Sequence, residues 1–413
     1  MLKKTFSIIS LGCFRNTYDS EVVAKRFLDK GFNFKKDFKN CHTLIINTCG
    51  FIDKAKEESL EAIKEAIDLK KKGKIKELFV FGCLVERYYE KLKKFFPEVD
   101  RWQGIEKFDS CYTPRKKILP PYIDFLKICE GCLNRCSFCA IPLIKGELKS
   151  KSRKELLKEV KELDREGIKE LNIIGQDITS WGEDLGKNFT FTRLLKDILK
   201  EIKNIKWVRL IYTHPRHFNE DLIDLIAWEE KICKYIDLPI QHINDRILKL
   251  MNRKITKREI IFLIDKIRKK IPQVVLRTSI IVGFPTETEK EFKELLKFLE
   301  EVKFERLGCF IYSREEETPA YKLPQVHPST KKRRFNELMS LQKEIASRVN
   351  KRFLGKSLKV LVEQRQDDLF IGRSQFDAYE VDGVVFLKKE RLSLGEFYQA
   401  KIVDVYDYDL LGI

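Results

Sequence analysis

Cys132-Leu-Asn-Arg-Cys136-Ser-Phe-Cys139 places three cysteines, spaced Cys-x-x-x-Cys-x-x-Cys, within one short polar loop. A disulfide uses two thiols, so three thiols this close together favour a metal centre. A structural zinc site needs four protein ligands, and the loop itself holds three. A 4Fe-4S cluster held by three thiolates leaves one iron open for a substrate or cofactor. We therefore favour an iron–sulfur cluster, and a zinc knuckle completed from a distant part of the chain is the alternative.

The size and cysteine content of the chain limit the class of protein. A chain of 413 residues is expected to form two to four domains with sizeable cores. It holds no apolar run of about 18 residues, so we expect no membrane span. The apolar stretch after Met1 is too short for a signal peptide and is interpreted as a first strand. With eleven cysteines, this predicts a reducing compartment and a cytoplasmic location.

The net charge of +18 leaves two interpretations open. A strongly basic protein often binds nucleic acid or the ribosome. Charged residues make up 35% of the chain and methionine is scarce, which is also typical of a thermophile protein with a Lys/Glu-rich surface. The total charge alone does not distinguish between them.

Residues 1–118 alternate between short apolar runs and helical patterns, which predicts an α/β domain with an open parallel sheet. The predicted strands are Phe6–Leu11, Thr43–Ile46 and Leu78–Phe81. One cysteine follows each strand, namely Cys13, Cys49 and Cys83. Because the carboxyl ends of parallel strands form the ligand crevice of such a sheet, these cysteines should converge there. The alternative is three buried core cysteines without a ligand role.

Residues 119–353 repeat strand–helix units and predict a partial TIM-like (β/α)6 barrel. The predicted strands are Phe125–Ile128, Glu170–Ile174, Val208–Tyr212, Tyr235–Leu238, Val274–Val282 and Arg306–Tyr312. Chemically active loops of such barrels lie at the carboxyl ends of the strands, and the three-cysteine loop follows the first strand. Polar residues and a glycine follow other strands and predict a cofactor and substrate pocket, with Gln176, Asp177, His214, Gln241, His242 and Gly283 as its candidate residues.

Residues 354–413 predict a small OB-like β-barrel. The predicted strands are Ser357–Glu363, Leu369–Gly372, Val384–Leu387 and Tyr398–Tyr406, and Asp382-Gly383 is a hairpin signal. The segment carries eight basic and eleven acidic residues, a net charge of −3. A domain that binds the phosphate backbone of a nucleic acid should be basic, so an acidic domain favours a basic protein partner. The alternative is that so small a net charge has no meaning.

The three-cysteine spacing, with an aromatic residue before the last cysteine, resembles the signature of the radical S-adenosylmethionine (SAM) enzymes. The resemblance implies that Cys132, Cys136 and Cys139 ligate a 4Fe-4S cluster whose open iron binds SAM. It also implies that Phe138 lies against the adenine side of SAM. The reactive chemistry is then that of the cofactors, and the protein orients them.

The whole chain resembles the methylthiotransferases, and most closely their RimO branch. The N-terminal match comprises Asn16, Asp19-Ser20-Glu21, Asn47–Ile52 and Gly82–Tyr88. The central match comprises Gln176-Asp177, Asp237–His242, Ile247–Arg253, Leu276–Ser279 and Tyr312–Glu316. The tRNA-modifying MiaB branch usually shows Gln-Ser-Gly where this chain has Gln241-His242-Ile243. By the same resemblance, residues 354–413 form a TRAM domain.

The chain departs from the family pattern at several positions. Phe14-Arg15 stands where Pro-Lys is usual, Thr286 replaces a glycine, and Phe125 replaces a common tyrosine. Lys145 and Lys151 stand where arginine is frequent. The lysines keep the charge but lose the bidentate fork of arginine, so we expect the SAM contacts, not the class, to differ.

The resemblance implies an activity, cofactors and partners. The RimO family adds a methylthio group to the β-carbon of an aspartate in small-subunit ribosomal protein S-twelve. It uses SAM and two 4Fe-4S clusters, the second held here by Cys13, Cys49 and Cys83. One SAM methylates a sulfur at that auxiliary cluster, and another yields the radical that activates the substrate carbon. We expect the basic ribosomal protein to bind through the acidic TRAM domain, and an electron donor such as flavodoxin or ferredoxin.

Two other functions stay open. A tRNA adenosine methylthiotransferase of the MiaB kind would fit the total charge of +18 but not the acidic C-terminal segment. A non-catalytic iron–sulfur protein that carries electrons or assists assembly would not need polar groups at every strand end. The remaining cysteines are predicted to be structural, namely Cys41, Cys111, Cys129, Cys233 and Cys309.

Overall fold

The computed structural model describes residues 4–108 and 114–413, and Cys111 lies outside them. Its N-terminal unit is a five-stranded parallel sheet in the order β2-β1-β3-β4-β5. The strands are β1 (Thr5–Ser10), β2 (Asn33–Phe34), β3 (Thr43–Thr48), β4 (Glu77–Gly82) and β5 (Arg101–Gln103). The helices are α1 (Phe14–Asp29), α2 (Asp53–Lys71) and α3 (Cys83–Phe95).

Strand β3 shows why this sheet has helices on both faces. All six of its residues are buried, and successive side chains of a strand point to opposite faces. Ile45 packs against Val23 and Phe27 of α1. Leu44 and Ile46 belong to the opposite core, to which α2 and α3 contribute. The predicted open α/β sheet is confirmed.

The central unit is a six-stranded parallel sheet in the order β13-β12-β11-β10-β9-β6. Its strands are β6 (Ile123–Lys127), β9 (Glu170–Ile174), β10 (Trp207–Leu210), β11 (Ile232–Asp237), β12 (Val275–Val282) and β13 (Arg306–Ile311). A short ribbon, β7 (Cys129–Glu130) and β8 (Lys149–Ser150), follows β6. The helices are α4 (Ile141–Lys145), α5 (Arg153–Arg165), α6 (Phe191–Glu201), α7 (Glu220–Trp228), α8 (Asp245–Leu250), α9 (Lys257–Lys270), α10 (Glu289–Val302) and α11 (Pro328–Asn350).

This order confirms the predicted partial barrel, because each strand lies beside the next one in sequence and the two edge strands do not pair. The observed strands begin and end within three residues of the predicted bounds. The described residues also form four 3₁₀ turns, at Ile178–Ser180, Pro215–His217, Pro319–Lys322 and Lys351–Phe353. No helix in residues 4–108 and 114–413 is both long and apolar enough to cross a membrane.

The C-terminal unit is a closed five-stranded barrel, as predicted. Its strands are β14 (Ser357–Gln366), β15 (Leu369–Ser374), β16 (Val385–Leu387), β17 (Phe397–Val405) and β18 (Leu410–Gly412). Asp382-Gly383 lies between the antiparallel neighbours β15 and β16, as the hairpin signal predicts, but the connection is a loop of ten residues and not a tight two-residue turn. The physical reason is that this loop reaches the central unit, where Asp382 accepts a hydrogen bond from the Tyr235 hydroxyl at 2.7 Å.

The C-terminal barrel is packed against the amino ends of the central strands. Trp207, at the start of β10, makes an edge-to-face contact with Phe397, with ring centroids 4.7 Å apart. Buried Glu170, at the start of β9, pairs with Arg209 and with Arg373 of the barrel, each at 2.7 Å. Burial alone would raise the pKa of Glu170, but these two guanidinium groups lower it to about 2. The two units therefore share apolar packing and a buried ion cluster.

Buried charges join the N-terminal unit to the central unit. Asp19 of α1 accepts from the ammonium groups of Lys127 at 2.6 Å and Lys145 at 3.1 Å. Both lysines also pair with Glu130, so four charged side chains of almost no exposure balance one another. Arg115 adds a second cluster with Glu21, Asp124 and Glu159, all buried. These ion pairs fix α1 against the first central strand and the loop that follows it.

We predict that Asp19→Asn destabilises the protein by about 3 kcal/mol. The substitution leaves two buried ammonium groups facing the single carboxylate of Glu130, and breaking a buried ion pair on one side is costly. Chemical denaturation followed by circular dichroism would measure the change. Asp29→Asn is the matched control in the same helix, because Asp29 pairs with Lys25 at the surface and should change stability by at most about 0.5 kcal/mol. Equal effects of the two variants would contradict the interpretation of the interface.

Thr286 lies in the left-handed region, with φ of 64°, in the loop between β12 and α10. A β-branched residue is strained there, and glycine is not. The backbone conformation explains why glycine is usual at this position, and nothing in the structure explains why this chain has threonine there. The Arg246 guanidinium donates to the Thr286 hydroxyl and carbonyl oxygens and holds the loop in place.

We predict that Thr286→Gly stabilises the protein by about 1 kcal/mol, since relief of left-handed strain outweighs one exposed hydrogen bond. The thermal unfolding midpoint should rise accordingly. Thr288→Gly, two residues on, should lower it, because Thr288 caps α10 through the Glu291 backbone N–H in a capping box. A lower midpoint for Thr286→Gly would show that the strain is absent.

Candidate iron–sulfur sites and cofactor cavity

The cysteines that follow β1, β3 and β4 converge at the carboxyl edge of the N-terminal sheet. Asn16 connects their loops, since its side-chain amide donates to the carbonyls of Leu11 at 2.9 Å and Thr48 at 3.1 Å. Its oxygen accepts from the Cys83 thiol at 3.6 Å. A Cβ on Gly12, which has a φ of 86°, would lie 2.8 Å from the Cys49 sulfur. Glycine therefore leaves the space that this sulfur occupies.

Cys13 differs electrostatically from its two partners. Burial would raise the pKa of the Cys13 thiol, but the charge and hydrogen bond of Arg15 and two backbone N–H groups outweigh burial, so that the pKa is lowered. Burial raises the pKa of Cys49 to about 11 and that of Cys83 to about 12. Cys13 precedes α1 and Cys83 begins α3, so two of the sulfurs lie at helix N-termini, where negative charge is favoured.

The second triad lines a cavity of about 120 Å³ at the carboxyl edge of the central sheet. Five of the residues predicted for the cofactor pocket line the same cavity: Phe138, Gln176, Asp177, His214 and Gln241. The other lining residues are Arg15, Asn134, Ile141, Thr213, Pro239 and Arg253, together with Cys132, Cys136 and Cys139. The loops after β6, β9, β10 and β11 thus meet at one site.

Donor groups are aimed at the sulfurs of this triad. The backbone and side-chain N–H groups of Asn134 each lie 3.5 Å from the Cys132 sulfur. The Arg253 guanidinium lies 3.5 Å from the Cys136 sulfur and also donates to the Pro239 carbonyl at 2.5 Å. N–H···S hydrogen bonds of this kind stabilise thiolates that ligate iron–sulfur clusters. The donor set therefore fits such a cluster.

Three buried polar atoms of the cavity have no hydrogen-bond partner among the described residues. They are Gln176 Oε1, His214 Nε2 and Arg253 Nε. Unpaired buried polar atoms are costly, and a ligand that supplies donors and acceptors would satisfy them. SAM carries an amino group, a carboxylate and ribose hydroxyls, so its chemistry matches this set. The cavity residues fit SAM beside a cluster.

Asp177, His214 and His217 present ligand atoms within 4.8 Å of one another, an arrangement that could in principle hold a metal ion. The hydrogen bonds favour another role. His214 Nδ1 accepts from the Arg216 backbone N–H at 3.2 Å, so the neutral ring carries its proton on Nε2. Burial lowers the pKa of His214 to about 2, which keeps the ring neutral. His214 therefore offers a donor to the cavity, not a lone pair to a metal.

Two residues predicted for the cofactor pocket, His242 and Gly283, do not line this cavity. His242 is fully buried, with Nε2 3.2 Å from the Glu287 carboxylate. Gly283 donates to the same carboxylate at 2.5 Å, and Arg334 of α11 pairs with it at 2.8 Å. A Cβ on Gly283 would lie 2.4 Å from Lys331, so glycine allows α11 to approach. Both residues hold the loops behind the cavity in place.

The departures from the family pattern also lie outside the cavity, apart from Arg15. Lys145 and Lys151 do not line it. Lys151 binds the Tyr18 hydroxyl at 2.7 Å and Glu159 at 3.0 Å, between the N-terminal and central units. The expectation that these lysines alter SAM contacts is therefore corrected. Phe14 and Phe125 stack on each other across the same interface, with ring centroids 4.6 Å apart.

The two triads lie at adjoining places. Cys83 of the first packs with Ala140, which directly follows Cys139 of the second, and with Ile144 of α4. Arg15, two residues after Cys13, lines the cavity of the second. Sequence analysis did not assign the cavity residues Asn134, Arg253 and Arg15. Three sequence features could have pointed to them: Asn134 lies inside the cysteine loop, Arg253 ends a family motif, and Arg15 belongs to the unusual Phe14-Arg15 pair.

Comparisons with known proteins agree with this geometry. The radical SAM superfamily matches residues 126–299, the uncharacterized protein family UPF0004 matches residues 5–104, and the TRAM domain matches residues 354–413. The ribosomal protein uS12 methylthiotransferase RimO of Clostridioides difficile (strain 630) is 42% identical over 440 residues, covering 100% of this chain and 98% of that protein. RimO of Thermoanaerobacter sp. (strain X514) is 44% identical over 436 residues, covering 99% of both.

Among solved structures, the radical SAM methyltransferase TsrM from Kitasatospora setae superposes with a TM-score of 0.56 at 14% identity, over 77% of each chain. At that identity the match shows a shared fold alone. The six-stranded parallel sheet and the superfamily match define a radical SAM enzyme. Over its full length, the chain belongs to the RimO family of ribosomal protein uS12 methylthiotransferases, which confirms the resemblance drawn from its motifs.

We predict that each triad binds its own iron. Cys49→Ala should remove about half of the iron bound after anaerobic reconstitution, and Cys136→Ala about the other half, because each removes one of three cluster ligands. Iron and sulfide analysis with electron paramagnetic resonance would measure this. Cys129→Ala is the matched control, since this fully buried cysteine lies three residues before Cys132 and packs against Gly175. Iron loss in the control equal to that in Cys136→Ala would contradict the assignment.

Proposed function

We propose that this chain transfers a methylthio group to the β-carbon of an aspartate in ribosomal protein uS12. The observation that carries the proposal is the full-length similarity to RimO proteins, combined with two cysteine triads at adjoining sheet edges. A reaction that joins sulfur transfer to C–H activation needs both sites within reach of one substrate.

In this proposal Cys13, Cys49 and Cys83 hold an auxiliary 4Fe-4S cluster, and Cys132, Cys136 and Cys139 hold the cluster that binds SAM. Phe138, Gln176, Asp177 and Gln241 contact SAM, together with the unpaired donor of His214 and the guanidinium of Arg253. His242 and Gly283 act indirectly, by holding the loop that carries Gln241. When bound, the cluster and SAM supply the one-electron chemistry that activates the substrate carbon.

The protein groups around the cavity orient the bound molecules and keep water out. Asn134 connects the cysteine loop to Asp177, because its amide N–H donates to that carboxylate at 2.8 Å while it also faces the Cys132 sulfur. Asp177 in turn binds His217 at 2.9 Å. Burial would raise the pKa of Asp177, but the hydrogen bonds with His217 and Thr179 help to outweigh burial and lower it, so Asp177 stays a carboxylate and a firm acceptor. Such fixed polar groups restrict the bound cofactor to one orientation.

We propose residues 1–118, 119–353 and 354–413 as the three domains, with cluster-binding, SAM-binding and partner-binding roles. The net charge of −3 on the last domain overstates the negative charge that is available to a basic partner. Several of its acidic side chains bind other parts of this chain. Asp377 pairs with Arg306 at 2.6 Å, Asp407 with Lys343 and Glu396 with Lys169, both at 3.0 Å.

The exposed acidic side chains that remain for a partner are Asp367, Asp368, Glu380, Glu390 and Asp404. We propose that they contact basic uS12, and that flavodoxin or ferredoxin supplies electrons. Because the substrate is ribosomal and both triads need reduced thiols, we place the reaction in the cytoplasm.

Mass spectrometry after anaerobic reconstitution with iron, sulfide, SAM and dithionite tests the proposal. The protein is offered a peptide of the uS12 loop that contains the target aspartate and, separately, a tRNA with a modifiable adenosine. We expect a methylthio mass gain on the peptide aspartate. Cys49→Ala should abolish this gain but still cleave SAM, and Cys129→Ala should retain both reactions.

Other outcomes would contradict the proposal. A gain on tRNA alone would assign the chain to base modification. SAM cleavage without any methylthio gain would exclude both substrates, and absence of SAM cleavage in a fully loaded protein would indicate an electron carrier.

A further inference from the structure

Arg15 bridges the two cysteine triads. Its Nε donates to the Cys13 sulfur at 3.4 Å, in the N-terminal unit. Its Nη1 donates to the Gly175 carbonyl at 2.8 Å, in the loop that follows β9 of the central unit. The guanidinium lies 4.4 Å from the ring centroid of Tyr212, at the end of β10. The same side chain lines the cavity that holds Cys132, Cys136 and Cys139.

The charge of Arg15 acts on cysteines of both triads. Its guanidinium donates to the sulfur of Cys13 in the first triad and lines the cavity formed by Cys132, Cys136 and Cys139 of the second. Other nearby cations are associated with one triad each. Lys145 acts on Cys83, and Arg253 contacts Cys136. Arg15 is half-buried and held by three contacts, so its charge stays in place and is only partly screened.

Arginine suits this bridge better than lysine. Its planar fork donates from two different nitrogens, to the Cys13 sulfur and to the Gly175 carbonyl, while its flat face lies over the Tyr212 ring, whereas an ammonium donates from one atom and has no flat face. Its guanidinium remains charged at all relevant pH values. The site therefore holds a permanent positive charge between two sets of thiolate ligands.

We propose that Arg15 is a positioning residue that raises the reduction potentials of both iron–sulfur clusters by serving as their shared counter-charge. This inference rests on the proposed assignment of the two triads as cluster ligands. Reduction adds one electron from an external donor to each cluster, with no bond broken and no proton moved. Because a cluster with three thiolates gains negative charge in that step, a fixed nearby cation favours the reduced form. A single donor can then reduce both clusters.

Redox titration with dithionite, followed by electron paramagnetic resonance, tests the proposal on the full chain. Two backgrounds separate the signals. In one, Cys13, Cys49 and Cys83 are changed to alanine, and in the other, Cys132, Cys136 and Cys139 are. We expect Arg15→Gln to lower the ratio of reduced to oxidised cluster at a fixed potential about tenfold in both backgrounds. Arg15→Lys keeps the charge and should change the ratio by no more than about twofold.

Arg253→Gln is the matched control, because Arg253 contacts a sulfur of the second triad alone. It should lower the ratio only in the background that keeps Cys132, Cys136 and Cys139. An effect of Arg15→Gln in one background only, or in neither, would overturn the proposal. An equal effect of Arg15→Lys and Arg15→Gln would also overturn it, since geometry and not charge would then be responsible.

Arg15→Met is a second neutral variant that distinguishes loss of charge from an effect of the glutamine amide. It should behave as Arg15→Gln does. Loss of iron in both neutral variants would contradict the proposal, because Arg15 would then be needed to assemble the clusters and not to set their potentials. If the unsubstituted protein binds no iron at one triad, the proposed assignment of cluster ligands is wrong. That failure is distinct from a failure of the Arg15 proposal, which requires iron at both triads and predicts a change in their potentials.

Discussion

Buried charge pairs centred on Asp19 hold helix α1 of the N-terminal unit against the first strand of the central sheet and the loop that follows it. Asp19 lies on the helix that begins beside Cys13, and its partners Lys127 and Lys145 flank the loop of the second triad. Apolar surfaces tolerate small sliding movements, whereas ion pairs without solvent are satisfied in one geometry only. The relative position of the two cysteine triads therefore depends on these few groups.

Several departures from the family pattern meet at this same interface. Phe14 stacks on Phe125, and Lys145 and Lys151 bind acidic or hydroxyl partners of the N-terminal helix. Each change looks isolated in the sequence, but neighbours in space must change together to keep a close-packed surface filled. These substitutions therefore lie where the two units dock, and among the departures Arg15 alone also lines the cavity. Thr286 is different, since it places a branched side chain where the backbone favours glycine.

The sequence predicted the sheets well because their strands are short apolar runs bounded by polar loops, as at Leu78–Phe81. It also predicted that Gln176, Asp177 and Gln241 would lie together, because each follows a parallel strand. The same rule failed for His242. It directly follows Gln241, but its side chain points away from the cavity, towards Glu287. Arg253 was missed as a hydrogen-bond donor to the Cys136 sulfur because a contact across 117 residues has no local sequence pattern. Asn134 was missed although it lies two residues from Cys132, because its donor role depends on how the loop folds back on the sulfur. Asp382-Gly383 belongs to a longer loop and not to a tight turn because Asp382 contacts Tyr235 of the central unit, and the sequence does not show this contact.

The C-terminal barrel covers the amino ends of the central strands, and the cavity opens at their carboxyl ends. Strands of four to eight residues separate these faces by roughly 15–25 Å. A substrate held on the outer side of the C-terminal barrel must therefore span at least this distance before its reactive residue enters the cavity. Such a path selects an extended segment, such as a loop on a long arm, and excludes a compact epitope. The distance between the barrel and the cavity would then determine which residue of a bound substrate is modified.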